Sequence, residues 1–266
     1  MKGALSMQES KNDTAAKTLA KPSANSTDYL PDPLLAEEAL LKVQIEEAGY
    51  EGKRGVIRDV AFQLEAGEWV GLIGPNGAGK STTIKAILGQ LKDMKGTLSR
   101  QGTYSYIPEH PILYERLTLW EHLELAASAW KIEDAQFIKR ANELLDIFRM
   151  QAVKHHLPSS FSKGMQQKVM LILAFLQKPD VFIVDEPFIG LDPRAIKDFL
   201  ELLEDARQQG AGVLMSTHVL DTAERICDQF LLMNEGRLVA SGNLQAIREQ
   251  CGLTQGSLFE CFNSLL

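Results

Sequence analysis

A glycine-rich segment in this 266-residue chain constrains its fold more than any other feature of the sequence. Residues 74–82 read Gly-Pro-Asn-Gly-Ala-Gly-Lys-Ser-Thr, which fits the phosphate-loop pattern G-x-x-x-x-G-K-S/T. Glycines carry no side chain, so their backbone N–H groups can approach phosphate oxygens closely. The apolar run Trp69–Ile73 predicts a strand before the loop, and the spacing of apolar residues within Ser81–Leu91 predicts a helix after it. Strand, loop and helix together predict a site for a nucleotide phosphate.

The polar residues of this loop have separate predicted tasks. A helix that begins near Ser81 presents unpaired N–H groups and the positive end of its dipole to an anion. We expect Lys80 to reach the β- and γ-phosphates, Ser81 to hold Mg²⁺ through its hydroxyl, and Thr82 to bond the α-phosphate. A glycine turn without this chemistry is the less favoured alternative. The predicted nucleotide contacts of the loop are Gly74, Pro75, Asn76, Gly77, Ala78, Gly79, Lys80, Ser81 and Thr82.

Two carboxylates follow a second apolar run. Val181–Val184 has the character of a buried strand, and Asp185 and Glu186 stand at its exit. Ligands of open α/β sheets bind at the carboxyl ends of the strands. We therefore predict that Asp185 helps to hold Mg²⁺ and that Glu186 polarises the water that attacks the γ-phosphate. Such a pair alone is more often part of a solvated loop, but the phosphate loop favours the metal site.

Composition and charge limit which partners and cellular locations the chain is expected to have. The net charge of −7 and the pI near 5.4 give no general attraction to nucleic acid, so no nucleic-acid partner is expected. The longest apolar run, Val169–Leu176, is far shorter than the roughly 20 residues of a membrane span. Residues 1–30 lack the continuous apolar stretch of a secretory signal, and three cysteines without metal-ligand spacing favour reduced thiols. We therefore expect a cytoplasmic protein.

The rest of the chain predicts alternating strands and helices. Strands are predicted at 41–45, 56–64, 69–73, 181–184 and 213–216, with a late hairpin at 230–233 and 237–240 joined through a turn of Asn-Glu-Gly at 234–236. Helices are predicted from a capping box at Thr118 to Trp130, at 134–150, at 163–177 and after Asp192-Pro193. Strands that alternate with helices imply a largely parallel sheet.

Several segments together, in their order and spacing, resemble an ABC ATPase. They are the phosphate loop, Ser-Phe-Ser-Lys-Gly-Met-Gln-Gln-Lys-Val at 160–169, Asp-Glu-Pro at 185–187, Gly-Leu-Asp-Pro at 190–193 and Ser-Thr-His at 216–218. The resemblance extends over about residues 41–242. Within the family, the amino-acid sequence at 106–109, 161–165 and 216–218, followed by Thr-Ala-Glu-Arg at 222–225, resembles that of the ATP-binding subunits of Ecs-type bacterial transporters.

This resemblance implies an α/β fold: a P-loop NTPase (RecA-like) core with a mainly parallel sheet, an antiparallel β region and an inserted helical subdomain. Residues 41–108 and 178–242 are expected to form the RecA-like ATP-binding lobe, and 109–177 the helical signature subdomain. Residues 243–266 are expected to form a C-terminal helical tail. Residues 1–40, polar and without a clear period, are expected to be a flexible extension with a short helix near residues 34–41.

The resemblance also implies ATP and Mg²⁺ as cofactors, with two cassettes that enclose two ATP molecules head to tail. On that basis Ser162 and Gly164 contact the γ-phosphate bound by the opposite subunit. Their position also fits a helix start, where N–H groups point at an anion. A plain capping role for Ser162 is compatible with this contact.

Three residues outside these loops are assigned by the resemblance. Tyr50 lies where the family stacks an aromatic ring on adenine, although a tyrosine at a strand end is more often ordinary packing. His218 resembles the switch histidine that bonds the γ-phosphate, and it completes an implied catalytic set with Lys80 and Glu186. Asp192 resembles an aspartate at the dimer interface. Its alternative role is to cap the helix that begins at Pro193.

The sequence departs from the family pattern at two places. The usual signature L-S-G-G-Q reads Phe-Ser-Lys-Gly-Met at 161–165, so Lys163 and Met165 replace a glycine and a glutamine. Glu109 stands where the family has the glutamine that links the γ-phosphate and Mg²⁺ to the membrane subunit. A carboxylate can also ligate Mg²⁺. Glu109 is therefore predicted to bind metal and nucleotide, with a surface-loop glutamate as the alternative.

The leading hypothesis is the ATP-hydrolysing subunit of a bacterial ABC transporter, peripheral on the inner face of the cell membrane. Its expected partners are a separate transmembrane permease and a second cassette, as a homodimer or a heterodimer with a paralogue. A soluble ABC ATPase that acts on ribosomes or DNA is the alternative. It is disfavoured because no heptad array separates Lys80 from Ser162. A P-loop kinase or GTPase would leave residues 161–169 unexplained.

Overall fold

The computed structural model describes residues 39–265. The predicted extension and most of the suggested helix near residues 34–41 lie outside this range, and Leu41 begins a strand. The strands are β1 (Leu41–Tyr50), β2 (Lys53–Leu64), β3 (Trp69–Ile73), β4 (Asp93–Arg100), β5 (Tyr104–Ile107), β6 (Val181–Asp185), β7 (Gly212–Thr217), β8 (Gln229–Asn234) and β9 (Arg237–Gly242). The α-helices are α1 (Lys80–Ile87), α2 (Leu119–Trp130), α3 (Asp134–Ile147), α4 (Lys163–Leu176), α5 (Pro193–Gln208), α6 (Leu220–Ile226), α7 (Leu244–Gln250) and α8 (Leu258–Leu265).

The larger sheet has six strands in the order β5-β6-β7-β3-β8-β9. Its neighbours pair in parallel, except that β8 and β9 form the antiparallel hairpin expected from the sequence. Every residue of the central strand β3 is buried. Because parallel strands end at one edge, the segments that follow β3, β5, β6 and β7 meet there. This edge therefore gathers the phosphate loop, Glu109, the acidic pair and His218.

The smaller sheet is antiparallel, with three strands in the order β2-β1-β4. Leu41, Val43 and Ile45 are buried while the residues between them are exposed, as expected for a sheet with one solvated face. The buried face packs with Leu72 of β3 and Ile84 of α1 in one hydrophobic cluster. The small sheet thus supports the phosphate loop from one side.

Helices α2, α3 and α4 lie between β5 and β6 in the sequence and share a hydrophobic core that includes Leu123, Leu144 and Ile172. Thr118 caps α2 through the predicted capping box with Glu121. The described residues form one compact unit. The proposed boundaries between a nucleotide-binding lobe, a helical subdomain and a C-terminal tail remain predictions.

The structure differs from the sequence predictions at several elements. The helix predicted over Ser81–Leu91 ends at Ile87, because Gly89 adopts a φ of 72° that terminates it. Helix α3 similarly ends before Arg149, whose φ is 60°. The sequence patterns did not predict strands β4 and β5 or helix α6. Strand β4 is polar and mostly exposed, so no alternation of apolar residues marks it.

Candidate nucleotide-binding site

The phosphate loop joins β3 to α1 and depends on its glycines. Gly77 and Gly79 have φ values of 85° and 107°, which residues with a side chain rarely adopt. A Cβ on Gly79 would also lie 2.7 Å from Ile57 Cγ2. Gly79 precedes α1 without a side-chain cap, so the first N–H groups of the helix remain available to an anion. The local geometry therefore suits phosphate binding.

Lys80 folds back over the loop and is almost fully buried. Its Nζ donates hydrogen bonds to the carbonyl oxygens of Gly74 at 2.7 Å and Pro75 at 3.3 Å. The same Nζ lies 3.3 Å from Glu186 Oε1, with both side chains less than a tenth exposed. The structure thus brings together the predicted phosphate-binding lysine and the predicted general base, which neutralise each other's charge.

The two predicted Mg²⁺ ligands also meet. Ser81 Oγ lies 3.3 Å from Asp185 Oδ1, although 104 residues separate them in the sequence. The same carboxylate oxygen accepts a hydrogen bond of 2.5 Å from the hydroxyl of Ser216, which pairs opposite Asp185 across β6 and β7. Asp185 is buried, so these hydroxyls replace water as partners of its charge.

Glu186 is held in a conformation that its residue type rarely adopts. Its φ is 47°, and its backbone N–H is bonded to Ser216, to the carbonyl oxygen at 3.1 Å and to Oγ at 3.2 Å. Glu186 Oε2 lies 2.9 Å from His218 Nδ1, while Oε1 faces Lys80 and has no hydrogen-bond partner. The carboxylate is therefore oriented from both sides, as a residue that activates water requires.

Tyr50 stands beside the phosphate loop. Its hydroxyl lies 3.3 Å from Thr82 Oγ1, and Lys85 Nζ lies 5.5 Å from the centre of its ring. The ring is partly exposed. This position is compatible with the predicted stacking on adenine, which remains a prediction.

Glu109 follows β5 at the same sheet edge and is partly exposed. Its Oε1 lies 3.8 Å from His110 Nδ1. Burial, and then the negative charges of Asp185 and Glu109, raise the pKa of Tyr106 to about 12. Direct ligation of a metal by Glu109 remains a prediction.

The signature residues begin α4. Ser162 caps this helix, because its Oγ accepts a hydrogen bond of 3.3 Å from the N–H of Met165. The capping role foreseen for Ser162 is thus present. Gly164 contacts another segment of the same chain: a Cβ there would lie 2.3 Å from the carbonyl oxygen of Gly190. The contacts of Ser162 and Gly164 with nucleotide on a second subunit remain predictions.

Asp192 has the capping role that was its alternative assignment. Its Oδ1 accepts a hydrogen bond of 2.9 Å from the N–H of Ala195, and Pro193 is the first residue of α5. Its Oδ2 accepts a hydrogen bond of 2.7 Å from Lys168 Nζ, which together with the Ala195 bond holds the pKa of Asp192 below its usual value. A place at a dimer interface remains a prediction.

Two residues important to this site were missed from the sequence. Ser216, quoted as the end of a strand and the start of Ser-Thr-His but given no role, bonds both Asp185 and Glu186. Gly236, noted only as a turn residue, donates its N–H to the carbonyl oxygen of Ala78 in the phosphate loop. Both contacts cross between distant segments, so no local pattern signals them.

These side chains fit a nucleotide with Mg²⁺. In such sites Mg²⁺ is held by one or two protein oxygens together with phosphate oxygens. Ser81 and Asp185 offer a hydroxyl and a carboxylate oxygen within 3.3 Å of each other. Lys80 and the uncapped start of α1 supply positive charge for the phosphates. Oε1 of Glu186 is buried and accepts no hydrogen bond, and its contact is the ion pair with Lys80. Phosphate that draws Lys80 away would leave this oxygen able to accept a water proton.

Comparison with known proteins identifies the class. The sequence profile of the ABC transporter family matches residues 57–189. A solved structure described as the ATP-binding subunit of an ABC transporter is 46% identical, with a TM-score of 0.81, and the match covers 85% of this chain and 99% of that one. The chain therefore belongs to the ABC transporter family, and its fold is the P-loop NTPase fold of ABC ATPases, as predicted.

Two relatives come from Bacillus subtilis (strain 168). The ABC transporter ATP-binding protein YthP is 53% identical over 224 residues, which cover 84% of this chain and 95% of that protein. The ABC-type transporter ATP-binding protein EcsA is 45% identical over 239 residues, which cover 85% and 96%. The predicted resemblance to Ecs-type subunits is thus confirmed. Within residues 39–265, no helix is long and apolar enough to cross a membrane.

Proposed function

We propose that this chain is the ATP-binding and ATP-hydrolysing subunit of a bacterial ABC transporter of the Ecs type, acting as an exporter. The observation that carries this proposal is the placement of Glu186 between Lys80 and His218, next to the paired Ser81 and Asp185. Its similarity to YthP and EcsA, both described as ATP-binding proteins of ABC transporters, supports the same conclusion.

Each residue of the site has a defined task in ATP hydrolysis. Lys80 and the N–H groups of α1 bind the phosphates, and Ser81 and Asp185 hold Mg²⁺. When bound, Mg²⁺ neutralises the negative charge that develops on the phosphates. Glu186 accepts a proton from the attacking water through Oε1, which accepts no hydrogen bond and is released from its ion pair when Lys80 binds phosphate. His218 orients Glu186 through the 2.9 Å contact with Oε2, and we assign it the further task of a hydrogen bond to the γ-phosphate.

A second cassette completes the proposed site. Ser162 and Gly164 open α4, where the start of a helix suits an anion. In a head-to-tail dimer around two Mg-ATP, these residues contact the γ-phosphate bound by the other copy. A homodimer is the simplest assembly, and a heterodimer with a paralogue would form the same sites.

A transmembrane permease is the proposed partner that uses this cycle. A groove of about 330 Å³ lies between β5, α2 and α4, next to the segment that follows Glu109, and its wall is mostly apolar. Ile112 and Tyr114 in this wall are 75% and 65% exposed, which is unusual for large apolar side chains. The chain would then lie at the inner face of the cell membrane, and its net charge of −7 gives no reason to propose nucleic acid instead.

The direct test replaces Glu186 by Gln, which keeps its size but removes the base. We expect E186Q to lose about 100- to 10,000-fold in kcat and to form a dimer in Mg-ATP that light scattering detects. E201Q is the matched control, because Glu201 is an exposed carboxylate on α5. Hydrolysis by E186Q near the normal rate would contradict the assigned role. A stable monomer at every ATP concentration would contradict the shared site.

A further inference from the structure

The start of α4 and the segment after Glu186 are joined at two points within one chain. At the first, no side chain fits between the backbone of Gly164 and the carbonyl oxygen of Gly190. At the second, one helical turn later, Lys168 Nζ donates a hydrogen bond of 2.7 Å to Asp192 Oδ2. Gly164 and Lys168 are four residues apart and share one face of α4. This face therefore lies against residues 190–192.

The link between Lys168 and Asp192 is not an ordinary surface ion pair. The Asp192 side chain is 52% exposed, but that of Lys168 is only 14% exposed, and the Asp192 carboxylate is already fixed because it caps α5. Only five residues lie between Glu186 and Asp192 in the sequence, so the segment that joins them is short. Met165 of α4 and Phe188 of this segment pack against the same hydrophobic core. The start of α4 is therefore in contact with the segment that follows Glu186 at two points.

We propose that Lys168 is a positioning residue that couples the two nucleotide sites of the dimer. The inference rests on the proposed function, in which Ser162 and Glu186 of one chain serve different nucleotides. Ser162 contacts the nucleotide held by the second copy, while Glu186 acts on the nucleotide held by its own chain. The bond from Lys168 to Asp192 transmits the position of the signature helix to Glu186. Each site then sets the geometry of the other.

The test uses the full chain and four variants of this bond. K168M removes the charge but keeps an unbranched stem, and K168R restores a donor. D192N removes the charge but keeps a good helix cap, so α5 remains capped. The double variant K168M/D192N shows whether both residues act through one bond. K197M is the matched control, because Lys197 forms an exposed ion pair with Glu201 elsewhere on α5.

We expect kcat for ATP to fall roughly 3- to 30-fold in K168M and in D192N, with a Hill coefficient closer to one. The Kd for ADP, which each chain binds with its own phosphate loop, should change less than about twofold because the bond of Lys168 is to Asp192, outside that loop. K168R should recover most of kcat, the double variant should be no worse than the worse single variant, and K197M should match the wild type.

Two results would overturn the coupling role alone. In the first, K168M keeps the kcat and Hill coefficient of the wild type. In the second, K168M loses ADP affinity and thermal stability in parallel with kcat, which would show a merely structural role. Wild-type protein and E186Q are assayed alongside. A wild type without ATPase activity, or an active E186Q, would overturn the proposed function and the coupling inference with it.

Discussion

Lys80 Nζ lies 3.3 Å from Glu186 Oε1, so the lysine expected to bind phosphate is paired with the carboxylate expected to activate water. Both side chains are buried, and neither charge has bulk water as an alternative partner. Phosphate must therefore compete with Glu186 for Lys80. The Glu186 carboxylate also repels an approaching nucleotide. Removing its charge should therefore favour nucleotide binding and at the same time stop hydrolysis.

The first prediction follows from this competition. E186Q should bind ADP more tightly than the wild type, by roughly 1 to 2 kcal/mol or about 5- to 30-fold in Kd. ADP is chosen because it can be titrated without turnover. Isothermal titration of the dilute protein gives the value, with E201Q as the control for a lost carboxylate elsewhere. An unchanged or weaker affinity would show that Glu186 does not compete for Lys80.

The second prediction concerns the ionisation of Tyr106. Its raised pKa means that the folded state favours the neutral phenol more than the unfolded state does. The contribution of Tyr106 to the free energy of unfolding is therefore fully present below pH 10, and it is lost as the pH rises toward about 12. The wild type should therefore lose stability relative to Y106F across that window, as measured by denaturant unfolding. E109Q should lower the Tyr106 pKa, followed by phenolate absorbance. An unchanged Tyr106 pKa in E109Q would show that the charge of Glu109 does not act on the Tyr106 hydroxyl.

A third prediction tests the apolar groove between β5, α2 and α4 as the contact with a membrane partner. I112D should move the protein from the membrane fraction to the soluble fraction of the native cell, because a charge in an apolar contact is costly to bury. I138D is the matched control, since Ile138 is also exposed but lies on α3, outside the groove. Equal membrane association of both variants would exclude this groove as the docking surface.

The fourth prediction concerns the turn that supports the phosphate loop. Gly236 has a φ of 80°, and a Cβ there would lie 2.1 Å from the carbonyl oxygen of Val56. G236A should therefore cost at least about 3 kcal/mol of unfolding free energy. The control G89A measures the cost of the positive φ alone, because Gly89 has a similar φ of 72° and open space around it. G89A should cost about 1 to 2 kcal/mol of unfolding free energy. Equal losses in the two variants would contradict the steric account.

The sequence was informative wherever the chemistry is local. The phosphate loop, the acidic pair, the capping box at Thr118 and the turn at Glu235 and Gly236 each occupy a few consecutive residues with one physical requirement. The turn shows this well, since both residues adopt positive φ as a two-residue hairpin loop demands. Such features can be read without knowledge of the fold.

The remaining features depend on contacts between distant segments. Ser216 reaches Asp185 only because β6 and β7 pair in parallel, and Lys168 reaches Asp192 only because α4 lies against the segment after Glu186. Strand β5 has four residues, too few to show a period, and it was found only through its pairing with β6. Predicting these contacts requires the strand order, which composition and periodicity do not contain.

The claim that two copies share each site can be tested by one measurement, the specific ATPase activity of the purified chain as a function of its concentration. If Ser162 of one copy completes the site that contains Lys80, Asp185 and Glu186 of the other, specific activity should rise with concentration through the range in which dimers form. A specific activity that stays constant through that range, down to concentrations at which light scattering shows only monomers, would contradict the shared site.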